Sequence, residues 1–204
     1  GGGHAHAGAL IYQGDAWPKE YVGAILMNNI HGARLNRDLL MPAGSGFVGR
    51  HGPDFLKAND RWSQIISLKT GPDGQMYMID WYDENQCHLT DPAAHDRTNG
   101  RIFVVSHGPE IGPARAIDPK AATVDDLVAL LGHPNDWQVR HARRILQERA
   151  ASMDGEAKAK LVAALASKAF DGPDAKLRLN ALWALYAAGG LDEALTLKAL
   201  TSAD

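Results

Sequence analysis

Cysteine is almost absent from this chain. Its 204 residues include a single one, Cys87, which excludes an intrachain disulfide framework and any metal site built from clustered cysteines. No C-x-x-C-H stands in the chain, and Cys87-His88 alone cannot supply two thioether links, so haem c has no attachment site here. A charge excess is missing too: 21 Lys and Arg against 24 Asp and Glu leave a formal net charge of −3. Without a basic field, nucleic acid is not expected as the main partner. No apolar run approaches the roughly 18–20 residues that span a bilayer, so no transmembrane segment is predicted. The chain opens Gly1-Gly2-Gly3, with neither an initiator methionine nor a signal-peptide pattern, and is expected to be a processed product or a segment of a longer protein.

What is present divides in two. The chain is 45% hydrophobic and 22% charged, enough apolar content for an ordered core. Residues 1–112 hold 16 of the 21 glycines and 10 of the 14 aromatics, whereas residues 113–204 hold 22 of the 32 alanines. Glycine and aromatics between short apolar runs suit strands, and alanine with leucine suits helices. The pairs Gly108-Pro109 and Gly112-Pro113 mark a linker. The expected organisation is therefore β + α in two domains, 1–112 and 113–204.

In the first domain, strand-like runs cover Ala9–Gln13, Gly23–Asn28, Gln64–Lys69, Gln75–Ile79 and Arg101–Ser106. Turn clusters separate them, including Gly44-Ser45-Gly46 and Gly71-Pro72-Asp73-Gly74, where proline presets φ and glycine supplies a positive φ. Short strands without intervening helices predict antiparallel sheets. Five runs are too few to close a propeller and fit one or two antiparallel β-propeller blades, a partial propeller. In the second domain, Thr123 and Asp126 read as a capping box before Leu127, Leu130 and Leu131. Further helices are expected over Trp137–Ala150, with Val139, Ala142, Ile145 and Leu146 buried, over Gly155–Ala169, from Asp174 to Ala188, and from Asp192. Ala142–Leu146 overlays Ala181–Leu185 at an offset of 39, each after a Pro- and Asp-containing turn. Paired helices at that period predict an α-helical HEAT-like solenoid, with a small helical bundle as the alternative. Trp137 and Trp183 are expected to pack in the core or between repeats, and Arg140, Arg143, Arg144 and Arg149 to form a solvated basic face.

Several residues can carry chemistry. His4 and His6, two apart on a strand, present both imidazoles to one face, where they can meet a metal or an anionic group, or merely form a polar strand end. An apolar run ending at Met27 leads into Asn28, Asn29, His31 and Arg34, which is either a ligand-binding strand end or a hydrogen-bonded turn closing a blade. Asp80 and Asp83 offer hard oxygen ligands that suit Ca²⁺, or form an ordinary solvated acidic loop. Cys87 and His88 offer in principle a nucleophile and a base, but adjacent residues on a strand point opposite ways, which weighs against the pair. His51 and His95 read as loop-capping residues, with Arg97 pairing to Asp96 or Asp91.

Taken together, His4-Ala-His6-Ala-Gly8, Trp17-Pro18, Asn28-Asn29-Ile30-His31-Gly32, His51-Gly52-Pro53-Asp54, Asp80-Trp81-Tyr82-Asp83 and Asp96-Arg97-Thr98-Asn99-Gly100-Arg101 resemble the end of the propeller in quinoprotein glucose/sorbosone dehydrogenases. More closely, the chain resembles planctomycete and verrucomicrobial "membrane-bound dehydrogenase" proteins, which join such a propeller to HEAT repeats and a c-type haem domain. The resemblance implies a sugar or alcohol dehydrogenase of periplasmic or otherwise extracytoplasmic location, using pyrroloquinoline quinone (PQQ) and Ca²⁺ and passing electrons to a haem domain outside this chain. It implies that His31 and Arg34, with Asn29, His4 and His6, face the anionic quinone, and that Asp80 and Asp83 are the residues for calcium. The catalytic histidine would lie upstream, leaving no catalytic residue in this segment, and the partners would be the remainder of the propeller or the haem domain. A non-catalytic scaffold that binds a protein or polysaccharide is the alternative.

Overall fold

The computed structural model describes residues 5–85, 89–108 and 118–202. The chain divides into two compact units, Gly1–Arg115 and Ala116–Asp204, the first built from antiparallel sheets and the second from helices. Cys87 and His88, His4, and the linker from Pro109 onward lie outside the described residues.

The first unit holds two antiparallel meanders. β1 (His6–Ile11), β2 (Ile25–Asn29), β3 (Arg34–Ala43) and β4 (Gly46–His51) are neighbours in chain order, and β5 (Leu56–Lys57) also pairs with β3. Arg34 and Leu35 pair with β5 while Asp38 through Ala43 pair with β4. The two short strands therefore occupy successive stretches of the same β3 edge. The second meander is β6 (Ile65–Thr70), β7 (Met76–Asp80) and β8 (Arg101–Val105).

β3, β4 and β5 do not stand among the expected strands. β3 carries Arg34, Asn36, Arg37, Asp38 and Pro42, and every residue of β4 is exposed, so neither shows the apolar alternation that marks a half-buried strand. Pro42 is tolerated because it faces Phe47 near the tip of an exposed edge hairpin. The Gly44-Ser45-Gly46 cluster is the turn of that hairpin.

The two sheets share one core of Tyr12, Trp17, Leu26, Leu35, Ile65, Leu68, Met76 and Met78. β1 lies against β6 at Gly8, where φ is +58°. A Cβ there would fall 2.5 Å from the Ile66 carbonyl oxygen and 2.8 Å from Ser67 Cα, so only glycine lets the two backbones meet. At the other end the buried Tyr12 hydroxyl donates to the Gly74 carbonyl (2.7 Å) and accepts from the Ala16 and Trp17 amides (3.2 and 3.1 Å). Burial pushes its pKa up to about 12. Trp17 stacks on Tyr12 at 4.3 Å and on Phe55 at 5.2 Å. This aromatic stack ties the β1–β2 connection to the Gly71–Gly74 turn between β6 and β7.

The second unit contains five helices among the described residues: α1 (Val124–Leu130), α2 (Asp136–Ala150), α3 (Gly155–Asp171), α4 (Ala175–Ala187) and α5 (Glu193–Leu200). Each begins at a side-chain cap. Thr123 and Asp126 form a reciprocal capping box, and Asn135, Asp154, Asp174 and Asp192 cap the others. The core gathers Leu127, Leu131, Val139, Ala142, Leu146, Leu161, Leu165, Ala181 and Leu185. Ile145 and Leu130, expected inside, are only partly buried at its margin. No described helix is long and apolar enough to cross a membrane.

Candidate functional site

β-sheet register brings most of the predicted ligand-facing residues together. His6 lies opposite Asn29, Asn29 opposite Arg34, and Arg34 opposite Lys57, so one cross-strand row runs over four strands. Residues directly opposite share a face. That face is the reverse of the one carrying Leu26 and Leu35, which enter the core. His6 is exposed and Asn29 buried. His31 sits half-buried in the turn after β2. On the opposite face, the buried Asn28 side-chain amide has no hydrogen-bond partner among the described residues.

Arg34 is already engaged. Its Nη1 donates to Asp54 Oδ2 at 2.8 Å and its Nε to the Gly32 carbonyl at 3.1 Å. Asn36 donates to the other Asp54 oxygen at 2.8 Å, Asn29 donates to Asn36 at 3.1 Å, and the Gly32 amide donates to Asn29 at 2.9 Å. Burial raises the Asp54 pKa, but the hydrogen bonds from Asn36 and Arg34 outweigh it and hold the carboxyl below the usual carboxylate range. The network closes the β2–β3 turn and presents a polar surface whose central cation is neutralised by Asp54.

Asp80 and Asp83 occupy a second, separate network. Asp80 is fully buried and accepts from the Gln64 amide (2.6 Å), Ser63 Oγ (3.3 Å), the Tyr82 amide (3.3 Å) and Arg101 Nε and Nη2 (3.1 and 2.5 Å). The Arg101 guanidinium lies 3.6 Å from the centre of the Tyr82 ring, and Tyr82 itself holds φ at +32°, a backbone region costly for a residue with a Cβ. Asp83 accepts from the Asn85 amide (2.9 Å), Trp81 Nε1 (3.2 Å) and His95 Nδ1 (3.1 Å). The Asn85 amide does most to hold its carboxyl below the usual range, with Trp81 and His95 adding to it. His95 donates its other nitrogen to the Leu89 carbonyl at 3.0 Å. Both ring nitrogens thus face acceptors, which suits the imidazolium. Leu89 first and Asp83 next push the His95 pKa above its ordinary value.

Three partners in these networks stand outside the sequence reading: Asp54 for Arg34, Arg101 for Asp80, and His95 for Asp83. Their signal lies in pairing rather than in motif. Asp80 and Arg101 are directly opposed on β7 and β8, a relation visible only once the hairpin register is known. Arg97 forms no ion pair among the described residues; Asp96 instead accepts from Thr98 and Asn99, and Asp91 caps the turn at Pro92–Ala94. Trp137 stacks on His141 at 3.6 Å, whereas Trp183, expected to be packed, is about half exposed on α4. Among the described residues no group of three or more His, Cys, Asp or Glu side chains is placed to hold one metal ion.

The fold and these networks define a mixed β + α protein with a two-sheet unit, locked by carboxylate-centred ties, and a separate helical unit. Residues 2–108 match the family described as "Domain of unknown function (DUF7133)", and the chain belongs to that family. No curated protein and no solved structure gives a significant match.

Proposed function

We propose that the first unit is a pair of blades from a quinoprotein-like propeller, and that the chain belongs to an extracytoplasmic sugar or alcohol dehydrogenase. The row His6–Asn29–Arg34 carries the reading: it sets an imidazole and a guanidinium along one face, with the buried Asn29 amide bonded to Asn36 and Gly32 between them, and these two donors suit an anionic quinone's carboxylates. His31 in the adjoining turn extends it. Further support comes from two antiparallel meanders that meet along their first strands, β1 and β6, as neighbouring blades do. In the helical unit, Ala142 and Ala181, and likewise Leu146 and Leu185, are fully buried at equivalent positions of α2 and α4, which supports a HEAT-like repeat. The quinone supplies the redox chemistry when bound. His6 and Arg34 would orient it, with Asn29 holding the β2–β3 turn beneath them, and electrons would leave for a haem domain outside this chain. Asp80 and Asp83 do not fit a calcium site as they stand, because Arg101, Trp81, His95 and backbone amides take up their oxygens; no calcium is assigned to them.

The second reading, a non-catalytic scaffold, is favoured by a single observation: Asp54 already neutralises Arg34. One experiment separates the two. PQQ and Ca²⁺ are titrated into the full-length protein, and dye reduction is followed with a panel of sugars and alcohols. The dehydrogenase reading expects saturable PQQ binding that Arg34→Gln weakens at least tenfold, while Asp54→Asn, which releases Arg34, leaves it intact or tightens it. Absence of PQQ binding, or of dye reduction with every substrate, leaves the scaffold.

A further inference from the structure

α4 is apolar on more faces than its packing uses. Asn180, Ala181, Ala184 and Leu185 are buried, yet Leu179, Trp183 and Tyr186 are 44%, 48% and 73% exposed. With the exposed Lys176 they recur at spacings of three and four, so they form one continuous stripe along the helix. Single exposed apolar residues are ordinary; an exposed Leu-Trp-Tyr stripe marks an interaction surface.

The charge on α4 itself has one sign. α4 contains Lys176 and Arg178 and no Asp or Glu. α2 packs on α4 and sets the Arg143 guanidinium 5.2 Å from the Trp183 ring centre. Arg140 and Arg144 are exposed on α2, at the positions that the 39-residue repeat equates with Leu179 and Trp183. Glu148 answers Arg144 at 2.8 Å, and neither Arg140 nor Arg143 forms an ion pair among the described residues. The surface thus combines tryptophan, tyrosine and arginine, the side chains that dominate binding energy in protein interfaces.

We propose that the α2–α4 face docks an acidic amphipathic peptide segment of a partner protein, with apolar side chains laid along Leu179, Trp183 and Tyr186 and carboxylates meeting Arg140 and Arg143. A row of exposed aromatics alone would suit a second copy of this chain. The cationic flank does not, because two copies placed face to face would bring arginine against arginine. The inference rests on the helical unit and stands under either reading of the first unit.

The test uses the whole chain and three labelled 16-residue peptides followed by fluorescence anisotropy. One carries leucine at helical i, i+3, i+4 and i+7 spacing on a glutamate background, the second has the same leucines on lysine, and the third is glutamate without leucine. The first is expected to bind at least tenfold more tightly than either control. Trp183→Ala with Tyr186→Ala, both at exposed positions, is expected to weaken it at least tenfold while the helical circular dichroism is unchanged. Arg140→Glu with Arg143→Glu is expected to shift the preference toward the lysine peptide. Equal binding of the leucine-free peptide, indifference to the Trp183 and Tyr186 changes, or a dimer in sedimentation that Trp183→Ala dissolves would each overturn the proposal. So would binding to phosphatidylglycerol vesicles that outcompetes the acidic peptide.

Discussion

At the scale of single residues, two carboxylates among the described residues are buried, Asp80 and Asp83, and their partners decide how each behaves. Asp80 has the most to lose. It is fully buried, and its charge is balanced by Arg101, which donates twice, and by three further donations from Ser63 Oγ and the Gln64 and Tyr82 amides. Asp80→Asn keeps the shape but removes the nearer counter-charge of Arg101, leaving Asp60 at 3.6 Å, and the buried hydrogen bonds it weakens make the loss about 2 kcal/mol. The loss should appear as a lower urea midpoint with an unchanged slope. Asp83 and His95 form a pair whose pKa values shift in opposite directions. The His95 pKa is raised, so its contribution is complete below the unfolded value of 6.5 and is lost as pH rises through the higher folded value. The Asp83 pKa is lowered, so its contribution is present above 3.8 and is lost as pH falls through the lower folded value. The pair therefore stabilises the loop between those limits. An NMR titration of the His95 ring should show a midpoint above 6.5 that Asp83→Asn moves downward, and an unmoved midpoint would mean that the contact is absent in solution.

At the scale of elements, backbone approach matters more than side-chain chemistry. Gly8 and Gly44 share nearly the same φ, +58° and +59°. A Cβ at Gly44 would meet nothing within 4 Å, whereas one at Gly8 would strike the β6 backbone. Gly44→Ala therefore carries only the conformational cost, about 1 kcal/mol. Gly8→Ala carries that cost and must also push β1 away from β6, so its melting temperature should fall several times further. Equal losses at the two sites would mean that the sheets do not meet at Gly8. The same contrast explains what could be read in advance. The helices were legible because their caps are local: Thr123, Asn135, Asp154, Asp174 and Asp192 each stand within three residues of the amide they receive. The strands over Ile25–Asn29, Ile65–Thr70 and Met76–Asp80 were legible because short apolar runs sit between turn signals. β3 and β4 were not, since their stability comes from pairing rather than from an apolar face. Half of the candidate site was legible in the same sense. His6, Asn29 and Arg34 could be chosen by residue type and strand-end position. That they share one row, and that Asp54 answers Arg34 from 20 residues away, depends on register, which no local pattern encodes.

At the scale of the whole molecule, the two units differ in how completely they cover their own apolar surface. The helical unit encloses a continuous core contributed by α1 through α4 and ties it with polar links, Asn180 to the Leu131 carbonyl at 3.0 Å and Arg149 to the Ala122 carbonyl at 2.7 Å. The first unit leaves more uncovered. β8 is the outer strand of its sheet, yet Ile102, Phe103 and Val104 are exposed along it, together with Ile79 on β7 and Phe47 and Val48 on β4. An open edge strand with apolar side chains on both faces invites pairing with another strand. The units should therefore part company when separated. A fragment beginning at Ala116 should be monomeric, show helical circular dichroism and melt in one cooperative step. A fragment ending at Arg115 should self-associate as its concentration rises, and replacing Ile102 and Val104 by Lys should suppress this without loss of β-signal, because charged side chains protect an exposed edge. If the β fragment instead stays monomeric at high concentration, its exposed strands need no partner, and the case for further blades beside it falls. If the helical fragment melts without cooperativity, its core depends on the first unit, and the division into independent units is wrong.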